Sequence, residues 1–237
     1  MECLQGSQPH NSPGRIQPQV SYIDYFAVSI PELPIEYSLI LGDALFNLRS
    51  TLDHLVWRLI EASGSVPDVR AGFPIFDTPD DYKAKSPRHV NGMGQNAADA
   101  IRRIYPYKTG NKALWVLHRL NIIDKHRLLL TIGTHAYGHS VPPKRQAELR
   151  SDWANRSPKT PVPNFQIAPL PGGPAALKAG EVFCTLSGLQ TDENMKFFLD
   201  IAINEAEVTS VTPLTILLDV LSTEVRTVIQ RLVPYLR

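Results

Sequence analysis

The spacing of apolar residues predicts three long helices. Between Ile35 and Ala62 the leucines recur at intervals of four and three: Leu41, Leu45, Leu48, Leu52, Leu55 and Leu59. A stripe of this period is typical of a helix that packs along one side. Gly64, just past the last turn, predicts a C-terminal cap. Residues 111–130 are apolar on nearly every side, which predicts a central helix, and residues 213–236 carry a third stripe.

Short runs rich in β-branched and aromatic residues predict strands. They cover residues 19–30, 164–168, 181–186 and 196–203. The composition between Gly133 and Pro163 shifts to Gly, Pro, His, Lys and Arg, which predicts a long loop. Residues 65–112 form a looser region, in which "AGFPIFDTPDDY" predicts a turn-rich connection and residues 95–105 predict a short amphipathic helix.

Together these elements predict an α+β fold, in which a helical bundle of three main helices carries a small antiparallel β-sheet inserted before the C-terminal helix. We expect a disordered tail over residues 1–18, which are rich in Pro, Gly, Gln and Ser. A single α+β domain is predicted over residues 19–237. Its parts are a helical core at 35–130, a β-rich segment at 164–206 and the C-terminal helix at 212–237.

Composition narrows the class of protein. The chain has 237 residues, of which 43% are hydrophobic and 20% charged, enough apolar material for a sizeable core. No run approaches the roughly 18 to 20 apolar residues that span a bilayer, and the first residues lack the basic-then-apolar order of a secretory signal. The two cysteines predict neither a disulfide framework nor a thiolate metal site. We therefore expect a cytoplasmic protein with no membrane partner.

The first long helix carries an unusual number of polar groups opposite its leucine stripe. At about 100° per residue, one polar ridge falls within about 60° of the helix circumference. The ridge consists of Asp43, Asn47, Ser50 and His54. Arg49 and Asp53 lie together on a flank, four residues apart, as a helical ion pair does. This helix therefore has a core stripe, a polar ridge and a charged flank.

A second set of polar residues lies on the central helix. It comprises Asn121, Asp124, Lys125, His126 and Arg127. Buried polar groups need partners, so we predict that the ridge and flank of the first helix, with Asp43, Asp53 and His54, form a polar network with this set, in which His54 meets Asp124. Two other interpretations stay open: the ridge is a solvated face, or Asp and His side chains of the two helices hold a divalent ion in a metal-dependent hydrolase.

Charge adds a candidate surface for anions. Residues 102–127 contain seven Lys or Arg residues and one acid, a formal balance of +6, although the whole chain carries only +1. Such a segment is either a surface that faces an anionic partner or a set of solvated helix faces.

The stretch "RSTLDH", Arg49 to His54, resembles the Arg-x4-His motif of HEPN-type ribonucleases. The resemblance implies metal-independent RNA cleavage, in which Arg49 holds the scissile phosphate and His54 transfers a proton. Guanidinium binds phosphate bidentately and imidazole titrates near neutrality, so both residue types suit these roles. On an ideal helix the two residues lie about 140° apart, so they reach one phosphate only across a dimer or at a distorted turn.

A wider pattern also resembles a group of bacterial proteins of unknown function. It consists of "GDALFNLRSTLDHLVW", "FPIF" and "LNIIDKHRLLL", within residues 35–130. This second resemblance implies no activity.

The sequence thus predicts a HEPN-like endoribonuclease that works as a homodimer on RNA, without metal or cofactor. Its candidate catalytic residues are Arg49, His54 and Asn47. The alternatives are a non-catalytic binding or assembly module that uses the polar network on RNA or another anionic ligand, and the metal-dependent hydrolase.

Overall fold

The structure is a computed structural model that describes residues 3–7, 22–127, 130, 132–187, 195–205, 208 and 212–236. The chain forms two compact units. The first contains residues 1–33, 132–203 and 211–213, and the second contains residues 34–131, 204–210 and 214–237.

The first unit is built mainly from strands. Its elements are β1 (Cys3–Ser7), β2 (Tyr22–Ala27), β3 (Ile132–Ser140), α5 (Pro143–Arg156), β4 (Ile167–Pro169), β5 (Ala175–Ala176), β6 (Val182–Ser187) and β7 (Phe197–Ile203). One antiparallel sheet has the order β1-β2-β6. In the other sheet β3 pairs antiparallel with β4, β5 and β7.

Residues from several strands of the first unit bury a common apolar cluster. It contains Tyr25, Ala136, Leu170, Leu177, Cys184 and Leu186. Phe197 packs against this cluster and meets the Tyr25 ring edge-on, with 4.8 Å between the ring centroids. Burial of these residues provides the main favourable term for this unit.

The second unit is helical. Its elements are α1 (Ile35–Ala62), α2 (Pro79–His89), α3 (Gln95–Arg102), α4 (Lys112–Arg127), α6 (Leu214–Leu232) and a short 3₁₀ turn at Val233–Tyr235. Helices α1, α4 and α6 pack against one another. The leucine stripe of α1 contributes Leu41, Leu45, Leu52, Leu55 and Leu59 to the core, where all five are buried.

Local signals in the sequence account for several helix ends. Gly64 adopts a positive φ of 77° just after α1, which favours glycine because it has no Cβ. Asn111 caps α4 by accepting a hydrogen bond from the backbone N–H of Leu114, and it donates another to Glu224 on α6. Thr78 caps α2 by accepting from the backbone N–H of Asp81.

The predicted α+β class and the antiparallel strands are confirmed, but several details differ. The described residues form six α-helices rather than three main ones, and two small sheets rather than one. The predicted loop at 133–163 was wrong, since β3 and α5 lie there. Cys3–Ser7, predicted within the disordered tail, forms β1 by pairing with β2. Residues 8–18 lie outside the described residues. The prediction of one domain over 19–237 stays a prediction.

The two strands that the sequence pattern did not predict share one cause. β1 and β3 are specified by hydrogen bonds to strands far away in the chain, and no local pattern reports such partners. α2 was also missed, because Thr78 and Pro79 were interpreted as a turn although they form a helix cap and first turn.

None of the helices in the described ranges combines the length and hydropathy that a membrane-spanning segment needs.

Leu52 tests the core assignment of α1. The Leu52→Ala variant should lose about 2 to 5 kcal/mol of unfolding free energy, because this side chain is fully buried. Ile40→Ala on the same helix is the matched control, since Ile40 is 65% exposed and should change stability by less than about 0.5 kcal/mol. Urea unfolding of the three proteins measures both values. Equal losses would contradict the packing of α1.

Candidate functional site

Three side chains of α1, spaced four residues apart, bind the backbone of the segment that follows the helix. Arg49 donates to the carboxylate of Asp53 and, through Nη2, to the carbonyl of Phe73 at 2.8 Å. The Phe73 N–H donates to Asp53 Oδ1 at 2.8 Å. One turn further on, Trp57 Nε1 donates to the Ala71 carbonyl at 3.2 Å. We call residues 71–77 the strap.

The strap is fixed along its whole length. A Cβ at Gly72 would lie 2.9 Å from Oδ1 of Asp53, so a larger residue here would displace the carboxylate that binds Arg49 and Phe73. The Phe76 N–H donates to the Pro106 carbonyl at 3.1 Å. At the end of the strap, Asp77 accepts a hydrogen bond from Nε1 of Trp115 on α4, at 2.7 Å.

A cleft of about 280 Å³ lies between α1, the strap, α2 and α4. Its polar lining consists of Arg49, Asp77, Asp81, Lys85, His89, His118 and Arg119. Its apolar lining consists of Phe73, Ile75, Phe76 and Ile122. Concave sites that combine apolar walls with a few convergent polar groups are the usual form of small-ligand sites.

The charges around the cleft nearly balance. Three cationic side chains, Arg49, Lys85 and Arg119, face the carboxylates of Asp77 and Asp81, which gives a formal balance of +1. Asp81 forms a salt bridge with Lys85, and its pKa is lowered by hydrogen bonds from the Lys85 and Thr78 side chains. The side chain of Arg49 is only 12% exposed.

Two histidines of the cleft are held in the neutral form. Burial, with the positive charge of Arg49 nearby, lowers the pKa of His118 from 6.5 to about 4. The same two causes lower the pKa of His89. Nδ1 of His118 is buried and makes no hydrogen bond within the described part of the chain. At neutral pH the cleft therefore holds fixed cations next to uncharged imidazoles.

The cleft contains only one of the three residues that were predicted to be catalytic. Arg49 lines it, whereas His54 is exposed on α1 and is not among the described residues that form its walls. Asn47 is exposed and lines a separate open groove between α1 and α6, with Thr51 and Asp219. A single chain therefore does not bring Arg49 and His54 to one cavity.

Part of the predicted α1–α4 network lies near the start of α1. The carboxylate of Asp124 approaches Gly42 so closely that a Cβ there would lie 2.7 Å from Oδ1. Burial and the nearby charge of Asp43 raise the pKa of Asp124. Nζ of Lys125 stands 5.2 Å from the centroid of the Phe46 ring, a cation–π distance.

Other members of that predicted network are not joined to it. Asn121 is buried, and its Oδ1 has no hydrogen-bond partner among the described residues. His126 is exposed, and the side chain of Arg127 lies outside the described residues. Asp53 belongs instead to the strap contacts. His54 is twelve residues from Gly42, or about 18 Å along the helix axis, which separates it from Asp124.

A metal centre finds no support in these positions. Within the described ranges no group of three or more His, Cys, Asp or Glu side chains stands close enough to hold a metal ion.

Four basic residues of the segment 102–127 make different contacts. Arg102 pairs with Asp99, and Lys108 stands over the Trp115 ring at 4.7 Å. Arg119 lines the cleft, and Lys125 stands over Phe46.

Sequence patterns did not identify His89, His118, Asp77, Asp81 or Lys85 as site residues. For α2 a signal was present, since its Thr-Pro-Asp-Asp start is a helix-cap pattern. The only signal for His118 is its position on a helix that is apolar on nearly every side, and this position does not identify an interaction partner.

Comparison with family models, curated proteins and solved structures finds no match to this chain.

The lowered pKa of His118 predicts a pH dependence of stability. Between about pH 6.5 and pH 4, His118 is protonated in the unfolded chain but stays neutral in the folded protein. The free energy of unfolding therefore falls as the pH falls through this window. The loss of unfolding free energy is about 3 kcal/mol and is complete below pH 4. Urea unfolding of the wild type and His118→Gln at pH 7 and pH 4 measures it, and the variant should lose correspondingly less. Equal losses of unfolding free energy in the wild type and in His118→Gln would contradict the lowered pKa of His118.

Proposed function

We propose that the protein binds a small anionic ligand in the cleft, with Arg49 as its main anion contact. The observation that carries this proposal is the arrangement of Arg49 itself. Arg49 lines the cavity, and Asp53 and the Phe73 carbonyl fix its guanidinium and use two of the five N–H donors that a guanidinium carries. The remaining donors are oriented before any ligand arrives, which reduces the entropy cost of binding.

The surroundings of Arg49 favour an anion over a neutral ligand. The side chain is largely shielded from water, so its charge acts in a medium of low dielectric constant, where an ionic contact is stronger. The neutral imidazoles of His89 and His118 add hydrogen-bonding groups without further charge. The site thus belongs to a binding module, and no chemical step is required of it.

Titration with simple anions tests the proposal. Added sodium acetate or sodium phosphate, at constant ionic strength, should shift the NMR signals of the His89 and His118 imidazoles and leave that of His54 unchanged. Arg49→Met should abolish both shifts because the anion contact is removed. His54→Ala should leave them intact, since His54 lies outside the cleft. If no anion shifts either cleft imidazole in the wild type at 50 mM, the binding proposal is wrong.

A second candidate function is metal-independent RNA cleavage, and one observation favours it. A neutral imidazole, His118, lies close enough to Arg49 for the guanidinium charge to lower its pKa. A neutral imidazole is a proton acceptor and a guanidinium binds phosphate, which are two of the roles that cleavage by the 2′-hydroxyl of RNA requires. In this version His118 takes the role that the HEPN-like motif gives to His54, and no dimer is needed.

Cleavage of single-stranded RNA in EDTA tests this second candidate. Active protein should leave 2′,3′-cyclic phosphate ends and spare DNA, because the attacking group is the RNA's own hydroxyl. His118→Ala should reduce the rate about 10² to 10⁴-fold, as removal of a positioned acid–base group does. Arg49→Lys should also be damaging, because a bidentate fork becomes a point charge.

The His54→Ala variant separates the two RNA mechanisms. Unchanged cleavage by His54→Ala would favour the cleft, whereas a loss with His54→Ala and not with His118→Ala would favour a HEPN-like dimer. Intact RNA after incubation with wild-type protein, as monomer and as dimer, would exclude both.

A further inference from the structure

The cleft is lined by both charged and apolar side chains. Arg49 lies in this lining with His89 and His118, close enough for its charge to lower the pKa of both imidazoles. Phe73 and Ile75 are buried strap residues, and Phe76 and Ile122 are half-buried. These four supply the apolar walls. A ligand that filled the cleft would therefore contact both the guanidinium of Arg49 and these apolar side chains.

The volume of the cleft limits the size of the hydrocarbon part of a ligand, which we call its apolar body. A volume of 280 Å³ corresponds to about nine water molecules at roughly 30 Å³ each. A carboxylate group contributes only three heavy atoms, so about six more are needed to fill the space. A small anion without a hydrocarbon part would leave the apolar walls in contact with water. Covering these walls is favourable by an amount that grows with the apolar area buried.

The charge of the cleft sets the charge of the ligand. The lining residues carry a formal charge of +1, and the carboxylate of Asp53, which binds Arg49, brings the local balance to zero. Each further negative charge of a ligand is therefore uncompensated, and an unmatched charge in a partly desolvated site is costly. A monoanion therefore fits better than a phosphate monoester, which carries about −1.5 to −2 at pH 7.

We propose that the ligand is a small organic acid, with one carboxylate bound by Arg49 and an apolar body of about six carbons against Ile75, Phe76 and Ile122. The inference rests on the proposed binding of an anion in the cleft, and it adds the class of the ligand. The planar carboxylate matches the fork of a guanidinium. The apolar body covers the walls that the strap and α4 provide.

Isothermal titration with a series of straight-chain acids tests the class directly. The probes are acetate, butanoate and hexanoate, with hexanamide as the neutral analogue and hexyl phosphate as the dianion. Affinity should rise about fourfold for each added methylene, which corresponds to burial of one CH₂. Hexanamide and hexyl phosphate should each bind at least tenfold more weakly than hexanoate.

Two variants locate the body of the ligand. Ile122→Asn should reduce the gain from acetate to hexanoate at least tenfold and leave acetate binding unchanged. Ile40→Asn is the control, since Ile40 is exposed on α1 away from the cleft, and it should behave as the wild type. If Ile122→Asn does not fold, the titration of acetate, butanoate and hexanoate into the wild-type protein still tests the proposal.

The outcomes separate this inference from the binding proposal. Acetate that binds as tightly as hexanoate, or hexyl phosphate that binds more tightly, would overturn the organic-acid class and leave anion binding standing. Absence of binding by every anion would overturn both. Tight hexanoate binding that Arg49→Met does not weaken would place the site elsewhere and also refute the inference.

Discussion

The contact between Arg49, Asp53 and the backbone of Phe73 holds the strap against α1, and the cleft depends on it. Phe73, Ile75, Phe76 and Asp77 all reach the cavity from this one segment. Without the contact, the strap would lose its link to the middle of α1 and would keep only its contacts with Trp57, Pro106 and Trp115. Hydrogen bonds to charged groups contribute about 1.5 to 3 kcal/mol each, more than neutral ones, and here the ion pair makes two of them to one residue.

This contact also explains why α1 carries charges beside a continuous apolar stripe. An arginine that is 88% shielded from water needs a nearby anion and hydrogen-bond acceptors, and Asp53 and the Phe73 carbonyl provide them. The same side chain also lines the cavity. Burial, together with its positive charge, lowers the pKa values of His89 and His118.

How far the sequence predicts this molecule varies from element to element. α1 was predicted with both ends correct, because a leucine stripe of helical period and a terminal glycine are local signals. The Arg49–Asp53 pair was predicted from its spacing of four. β3 was missed because its pairing partner β7 lies about sixty residues away, and a segment rich in Gly and His has no local preference for a strand. α5 was missed although the proline in its first turn, Pro143, is a local signal. α2 was missed although its cap pattern is local.

The sequence by itself determined the α+β class, the core face of α1 and the ion pair on its flank, because helical periodicity and i,i+4 spacing act over a few residues. The tertiary structure decided which residues share the cleft. His118 joins Arg49 there and His54 does not, because the antiparallel packing of α4 brings His118 opposite Arg49, whereas His54 lies on another side of α1. Asp77 and His89 reach the same cavity through the strap and α2. This proximity results from the packing of elements that are distant in the sequence. The spacing of residues within one helix does not predict it.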